Sequence, residues 1–242
     1  MLTQGPFKFG LVDSEEVRKA IHRLRYKIYV EEFCFEKPGD HPGGVEMDEY
    51  DPVSIHFAAM DSDDEVIGTI RMILDSKKGF PIEHAARLNF NGLKPPPPER
   101  TSEISRLAVS KTYRRRQEDG IFGVESYLKK SEGGILANDG RPDKEQKQRE
   151  RPMIVLGLYQ AMYHEAKRRG ITHLYMITEQ KLFYALRHFG IYFKQIGDPV
   201  EYHGLRVPYI GIVAEMEKKL KEFHPKTLSM LLTGLEPQYH PN

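Results

Sequence analysis

The sequence holds one cysteine, Cys34, and no tryptophan, and its 36 lysines and arginines nearly cancel 35 acids, leaving a formal net charge of +1. Each shortage removes a class of protein. A single thiol cannot close an internal disulfide, which suits a reducing compartment. A near-neutral molecule has no overall field to attract nucleic acid, so only a local basic patch could recruit an acidic partner. No stretch approaches the roughly 18 consecutive apolar residues of a membrane-spanning helix. The start, MLTQGPFKFGLVDSEE, lacks the basic-then-apolar order of a secretory leader. A cytoplasmic protein that spans no membrane is expected, and 39% apolar content over 242 residues can fill a core.

Hydrophobic patterning predicts a mixed order of strands and helices. FKFGLVDS reads as a strand ending at Asp13 or Ser14, either of which can cap the helix EEVRKAIHRLRYKIYVEEF. That helix sets Val17, Ile21, Leu24, Ile28 and Tyr29 on one side. KPGDHPGG breaks it, and SIHFAAMDSDDEVIGTIRMIL reads as two strands around a polar turn. GLKPPPPERT is an extended loop and EISRLAVS another strand. Residues 117–151, rich in Gly, Lys, Glu, Gln and Arg, are expected to form a mobile insertion, with a helical piece GIFGVESYLKK at its start. Then follow a helix stopped by Gly170, the strand THLYMIT, a helix stopped by Gly190, the strands YFKQIGD and VPYIGIVAEM, and a helical tail over about residues 215–242. The predicted fold class is α/β (α+β): one domain over residues 1–242, built on a single mixed sheet with helices on its faces.

Charges sit inside the strand segments, which calls for a reason. Glu103 and Arg106 stand three apart in EISRLAV, so on a regular strand they face opposite sides of the sheet and cannot pair. A bulge between them would bring them together. Otherwise Glu103 reaches across to Arg71 and Arg106 turns to another carboxylate such as Asp51. Glu103 is either a base whose pKa burial raises or one half of an ion pair that ties strands together. Asp48 and Asp51, in MDEYDP, bind a cation or an amino group, or cap a turn beside Pro52. Arg114, Arg115 and Arg116 receive an acidic, phosphate-bearing partner or simply begin a solvated loop. No aromatic platform accompanies them, so no nucleic acid is expected. His22, His56, His84 and His188 lack ligand spacing, so no metal is expected. Cys34 fits a buried thiol better than a nucleophile.

The element order resembles that of the GNAT-fold acyltransferases, and the residues sharpen the likeness. LRYKIYVEEFCF, EMDEYD, GTIRMI and EISRLAV together are similar to the signature of the acyl-homoserine-lactone synthases and the N-acyl amino acid synthases. In that pattern an Arg is followed four residues later by an aromatic and ten later by Trp. Two Asp three apart, an Arg on the hairpin strand, and a Glu and Arg three apart come next. Arg25, Tyr29, Phe35, Asp48, Asp51, Arg71, Glu103 and Arg106 occupy those places, across roughly the first half of the chain. The chain also resembles a longer branch of this group, the acyltransferases associated with exosortase and PEP-CTERM protein sorting.

The resemblance implies a GNAT-like, mostly antiparallel central sheet with a splay between its central parallel strands. It implies an N-acyltransferase that moves a fatty acyl group from a thioester, on acyl carrier protein or CoA, to the amine of a small acceptor such as an amino acid. No tightly bound cofactor is implied. Glu103 would be the base, and Arg71 and Arg106 would fix the site's carboxylates. Backbone N–H groups of Leu107, Ala108 and Val109 would hold the oxyanion on the donor side. Asp48 and Asp51 would orient the acceptor's ammonium, Arg25 its carboxylate, and Tyr29 and Phe35 would complete the acceptor side. Arg114 to Arg116 would meet the carrier's phosphate. Phe35 replaces the Trp of the lactone makers, which argues against S-adenosylmethionine chemistry and leaves N-acylation open. The phosphate turn of CoA users is matched only loosely by Gln117 to Gly120, with Phe122 where Gly or Ala belongs. The slot of their thiolate-protonating Tyr holds Leu186, with Tyr184 nearby. Both departures favour acyl carrier protein over acetyl-CoA. An acetyl-CoA N-acetyltransferase and a non-catalytic acyl-binding module stay as alternatives.

Overall fold

Gly5, at φ +57°, turns the N-terminus back on itself, so that β1 (Leu2–Gln4) pairs antiparallel with β2 (Phe7–Leu11). The computed structural model describes residues 1–90, 92, 94–113 and 142–241, and the side chains of all of these except 142–152. Ser14 starts α1 (Glu15–Tyr26) by accepting the Val17 N–H at 3.2 Å, with Glu15 and Glu16 complementing the helix dipole. The helix then widens into a π-helical segment, Lys27–Glu32, where the Phe33 N–H reaches the Ile28 carbonyl five residues back. A hairpin follows, β3 (Ser54–Met60) and β4 (Val66–Leu74), then the short α2 (Pro81–Ala85) and β5 (Thr101–Val109). The second half contains α3 (Pro142–Arg168), β6 (His173–Thr178), α4 (Gln180–His188), β7 (Lys194–Gln195), β8 (Val200–Glu201), β9 (Leu205–Ile212), α5 (Val213–Phe223) and α6 (Pro225–Leu232).

The sheet runs β1-β2-β3-β4-β5-β6-β9-β7, with β8 on β9. It is mostly antiparallel, and β5 with β6 is its parallel pair. That ladder runs from Thr101↔His173 to Ile104↔Met176 and stops there, although both strands continue. The fold is therefore the expected α/β one with a mostly antiparallel sheet.

The chain clusters into two compact units. Met1–Asp48, His56–Ile70 and Arg106–Ala161 make the first, and Glu49–Ile55, Arg71–Ser105 and Met162–Asn242 the second. In the first, Val12, Ile21 and Ala58 form a core cluster. Gly157 of α3 lies so close to β2 that a Cβ there would stand 2.5 Å from the Phe9 ring. In the second, Ile73, Phe80, Ile82, Tyr175, Ile196 and Ile210 pack together.

Some expectations change. β1 and α2 were not foreseen, the strand read in YFKQIGD is only Lys194–Gln195, and α1 gives way to the π segment at Lys27. Residues 142–151, expected in the insertion, belong to α3, while 117–141 lie outside the described residues. The predicted tail begins helical, in α5 and α6. Among the described residues no helix is long and apolar enough to cross a membrane.

Candidate active site

β5 carries the feature on which the site turns. Arg106 sits inside this strand at φ +50°, a left-handed conformation that costs a side-chain-bearing residue about 1–2 kcal/mol. Such a kink re-aims the side chains on either side of it, as a bulge would. It does not bring Arg106 to Glu103. In the first unit, Arg106 Nη2 donates to Glu46 Oε1 and to Asp48 Oδ2, both at 2.9 Å, and its Nε lies 3.1 Å from Glu46 Oε1. Glu36 Oε1 is 3.8 Å from the same guanidinium. The partners of Arg106 are thus Glu46 and Asp48 in place of the expected Asp51.

Glu46 is the functional-region residue the sequence reading passed over. It is 0% exposed, and its Oε2 accepts a short hydrogen bond from Arg25 Nε, itself 0% exposed. Burial works to raise the Glu46 carboxyl, but Arg106 and Arg25 outweigh it and hold it down at about 2. Burial likewise opposes the charge on Arg106, and Glu46 and Asp48 reverse that and raise its pKa. Arg25 was expected to take an acceptor's carboxylate; fully buried against Glu46, it supports that carboxylate instead. Glu46 opens EMDEYD, and its place 21 residues after Arg25 gave no spacing signal.

Tyr29 lies in the π segment and donates its hydroxyl to the Leu107 carbonyl at 3.0 Å. The Arg106 guanidinium stands 5.5 Å from its ring centroid, within cation–π range. Phe35 stacks on Phe33 at 5.5 Å and lies 6.5 Å from Tyr29. Leu107, Ala108 and Val109 follow the kink and are all buried. His22 and His56, far apart in sequence, meet edge to face at 5.6 Å. Cys34 is exposed, at φ +53°, and not the buried thiol expected.

The second unit holds the other charged residues. Arg71, 1% exposed, donates from Nη1 to Asp51 Oδ1 and from Nε to Ser105 Oγ, each at 2.9 Å. Asp48 thus engages Arg106 in the first unit and Asp51 engages Arg71 in the second. Glu103 is 1% exposed, and its Oε2 accepts the backbone N–H of Ile82 at 2.9 Å. One oxygen of this buried carboxylate is thus held by a backbone donor. Tyr184 is 50% exposed on α4, and the slot proposed for a thiolate-protonating Tyr is filled by buried Leu186. Arg114 to Arg116, Gln117 to Gly120 and Phe122 lie outside the described residues.

Comparison with known proteins places this geometry. Residues 24–121, from α1 past the end of β5, match the sequence profile of the acetyltransferase (GNAT) domain. No curated protein matches the sequence. Among solved structures, BjaI, a CoA-dependent acyl-homoserine lactone synthase with SAM and isopentyl-CoA, is 18% identical with a TM-score of 0.60, over 95% of this chain and 89% of its own. TofI, in a ternary complex with an inhibitor and MTA, is 17% identical with a TM-score of 0.58, over 92% of this chain and 100% of its own. FeeM, an N-acyl amino acid synthase from uncultured soil microbes, is 15% identical with a TM-score of 0.53, over 88% of this chain and 94% of its own. Residues 24–121 thus resemble the acetyltransferase (GNAT) domain, and the chain has the fold of the acyl-homoserine-lactone synthases and of an N-acyl amino acid synthase.

Proposed function

We propose that the protein is an N-acyltransferase that moves a fatty acyl group from an acyl thioester to the amine of a small acceptor, an amino acid being the favoured class. The observation that carries this reading is β5. It combines a buried carboxylate, Glu103, with a left-handed Arg106 three residues later, and its ladder with β6 stops between them at Ile104. Glu103 takes the proton of the attacking amine, and the new C–N bond forms as the C–S bond breaks and the thiolate leaves. N–H groups of Leu107, Ala108 and Val109, beyond the kink, stabilise the oxyanion. Arg106 helps to keep Glu46 ionised and donates to Asp48, as Arg71 donates to Asp51. Asp48, about a quarter exposed, is then the carboxylate available to an acceptor's ammonium.

Acyl carrier protein is the proposed donor, met by Arg114 to Arg116, because the CoA phosphate turn is poorly matched in the sequence. The absence of Trp at Phe35 favours N-acylation over lactone formation. We place the chain with the exosortase and PEP-CTERM associated branch, and in the cytoplasm where acyl carriers circulate. The test is incubation of purified protein with long-chain acyl carrier proteins, acyl-CoAs and acetyl-CoA, each with pooled amino acids and amines, followed by mass spectrometry. An acyl-amine made from long-chain acyl carrier protein and not from acetyl-CoA supports the reading. Acetylated product from acetyl-CoA would make it an N-acetyltransferase, and donor binding without product would make it a binding module.

A further inference from the structure

Two acids in the first unit address the same nitrogen of Arg106. Asp48 Oδ2 accepts from its Nη2 at 2.9 Å, Glu36 Oε1 stands 3.8 Å from it, and each of these side chains is about a quarter exposed. Local backbone geometry brings Glu36 there. Cys34 turns the chain at φ +53°, after which the N–H groups of Phe35 and Glu36 both donate to the Tyr29 carbonyl, at 2.8 and 3.2 Å. Tyr29 is itself tied through its hydroxyl to the Leu107 carbonyl in β5. Arg25 and Arg106 bring two positive charges to this group, and Glu36, Glu46 and Asp48 bring three negative ones. The buried Glu46 is matched by both arginines, so the surplus negative charge rests with the two partly exposed acids. A second feature points the same way. His41, 8% exposed, directs Nε2 toward Glu36 Oε2 at 3.8 Å, and that buried nitrogen has no hydrogen-bond partner among the described residues. The separation is too long for a hydrogen bond but suits two acceptors that share one ammonium, whose three N–H groups can serve both.

We propose that Glu36 and His41 hold a second ammonium group of the acceptor while Asp48 orients the amine that reacts, so that the acceptor is a short diamine, either free or as a diamino acid. The inference rests on the N-acyltransferase reading and names the acceptor's class. With its Nδ1 protonated, His41 accepts at Nε2 as Glu36 accepts at Oε2. Glu36 and Asp48 both reach one nitrogen of Arg106, so the two amines are separated by only a few carbons. A single-amine acceptor leaves the surplus negative charge unanswered, and one that adds a carboxylate enlarges it. The amine oriented by Asp48 reacts in its neutral form. Its nitrogen bonds to the thioester carbon, one N–H proton passes to Glu103, and the C–S bond breaks to release the thiolate. The second ammonium keeps its protons and its charge throughout, and no group is oxidised or reduced. Glu36 and His41 touch the acceptor away from the reacting atoms and determine specificity.

The full-length protein with a long-chain acyl carrier protein supplies the test, with acceptors compared in pairs of matched length. Butylamine is set against 1,4-diaminobutane, and norleucine against lysine, so that the pairs separate a free diamine from a diamino acid. In the pair that is acylated, the member with two amines should have a kcat/KM higher by at least about 10-fold, the size of one hydrogen bond to a charged group. Glu36→Gln should raise KM for that acceptor about 10-fold and bring the ratio within the pair close to 1. Glu36→Lys should turn the preference from lysine toward glutamate. Imidazole 15N NMR gives a readout independent of turnover. The His41 signals, identified by their loss in His41→Gln, should move on addition of 1,4-diaminobutane or lysine, and the response should weaken in Glu36→Gln. Equal use of both members of a pair, or a preference that Glu36→Gln leaves intact, overturns the inference while the transferase reading stands. His41 signals that respond to neither diamine overturn it as well. If no donor and acceptor give an acylated product, the transferase reading falls and takes the inference with it.

Discussion

Replacing Glu46 with glutamine removes one charge and almost no volume, so its effect measures the electrostatics of a buried carboxylate directly. Glu46 is 0% exposed, hydrogen-bonded to Arg25 and Arg106, and its carboxyl sits at about 2 against an ordinary 4.5. That difference, at 1.36 kcal/mol per pKa unit, corresponds to about 3 kcal/mol of folding stability. A depressed carboxylate contributes fully above its unfolded value and loses its contribution as pH falls toward its folded one, so the window runs from about 4.5 down to about 2. The substitution also leaves Arg25, buried at 0%, without its counter-charge, and breaking one side of such a pair costs about 3–5 kcal/mol. Glu46→Gln should therefore be about 3–5 kcal/mol less stable than wild type at pH 7. The gap should hold to pH 5 and shrink as pH drops further, because wild type then loses what the variant never had. Urea denaturation followed by circular dichroism at pH 7, 5 and 3 measures it. A variant within about 1 kcal/mol of wild type at pH 7, or a gap that does not change with pH, would refute the reasoning.

Arg106→Gly and Arg106→Ala both delete the guanidinium, but glycine adopts φ +50° freely; Arg106→Gly should be the more stable of the two by about 1 kcal/mol in the same denaturation assay. Glu103→Gln should reduce acyl transfer by at least about 10²-fold with an unchanged circular dichroism spectrum, and retained activity would reassign the base. Gly157→Ala would press a methyl against the Phe9 ring, 2.5 Å away before relaxation, at a cost of about 1–3 kcal/mol. A lowered Tm, partly restored by adding Phe9→Leu, is the expected calorimetric result. Tyr29→Phe loses the 3.0 Å hydrogen bond to the Leu107 carbonyl and should cost about 1 kcal/mol, seen as faster amide exchange along the end of β5.

Much of the fold was legible because it follows from local rules. Ser14 before an amphipathic run, a polar turn between two apolar runs, and glycines after Arg169 and Phe189 each specify a boundary by chemistry within a few residues. β1 was missed because MLTQ has little strand character of its own and is held by pairing with Phe7, Lys8 and Phe9. α2 escaped notice because five residues give no helical period, and its capping Glu83 is visible only beside Phe80. The site was half legible. Strand geometry left two alternatives, a bulge that joins Glu103 to Arg106 or an Arg106 turned to another carboxylate, and the left-handed Arg106 goes with the second. Which carboxylate Arg106 meets was not legible, because Glu46 lies 60 residues away and only packing decides among the acids of EMDEYD. Arg25 looked like a ligand-binding arginine since sequence gives charge and not burial, and burial is what turned it into a support.

The widened turn at Lys27–Glu32 has a bearing on how this chain tolerates insertion and deletion. An α-helix gains a π segment when it absorbs one extra residue, and the residues beyond it are rotated by about 100°, one residue's share of a 3.6-residue turn. Removing a single residue between Lys27 and Glu32 would restore regular i−4 bonding and improve the helix considered alone. The same edit would swing Tyr29 off the Leu107 carbonyl or carry Phe33 and Phe35 around the helix axis. The helix thus behaves as a ruler with one surplus division, and a deletion there that benefits the local backbone would have to be matched by changes as far away as β5.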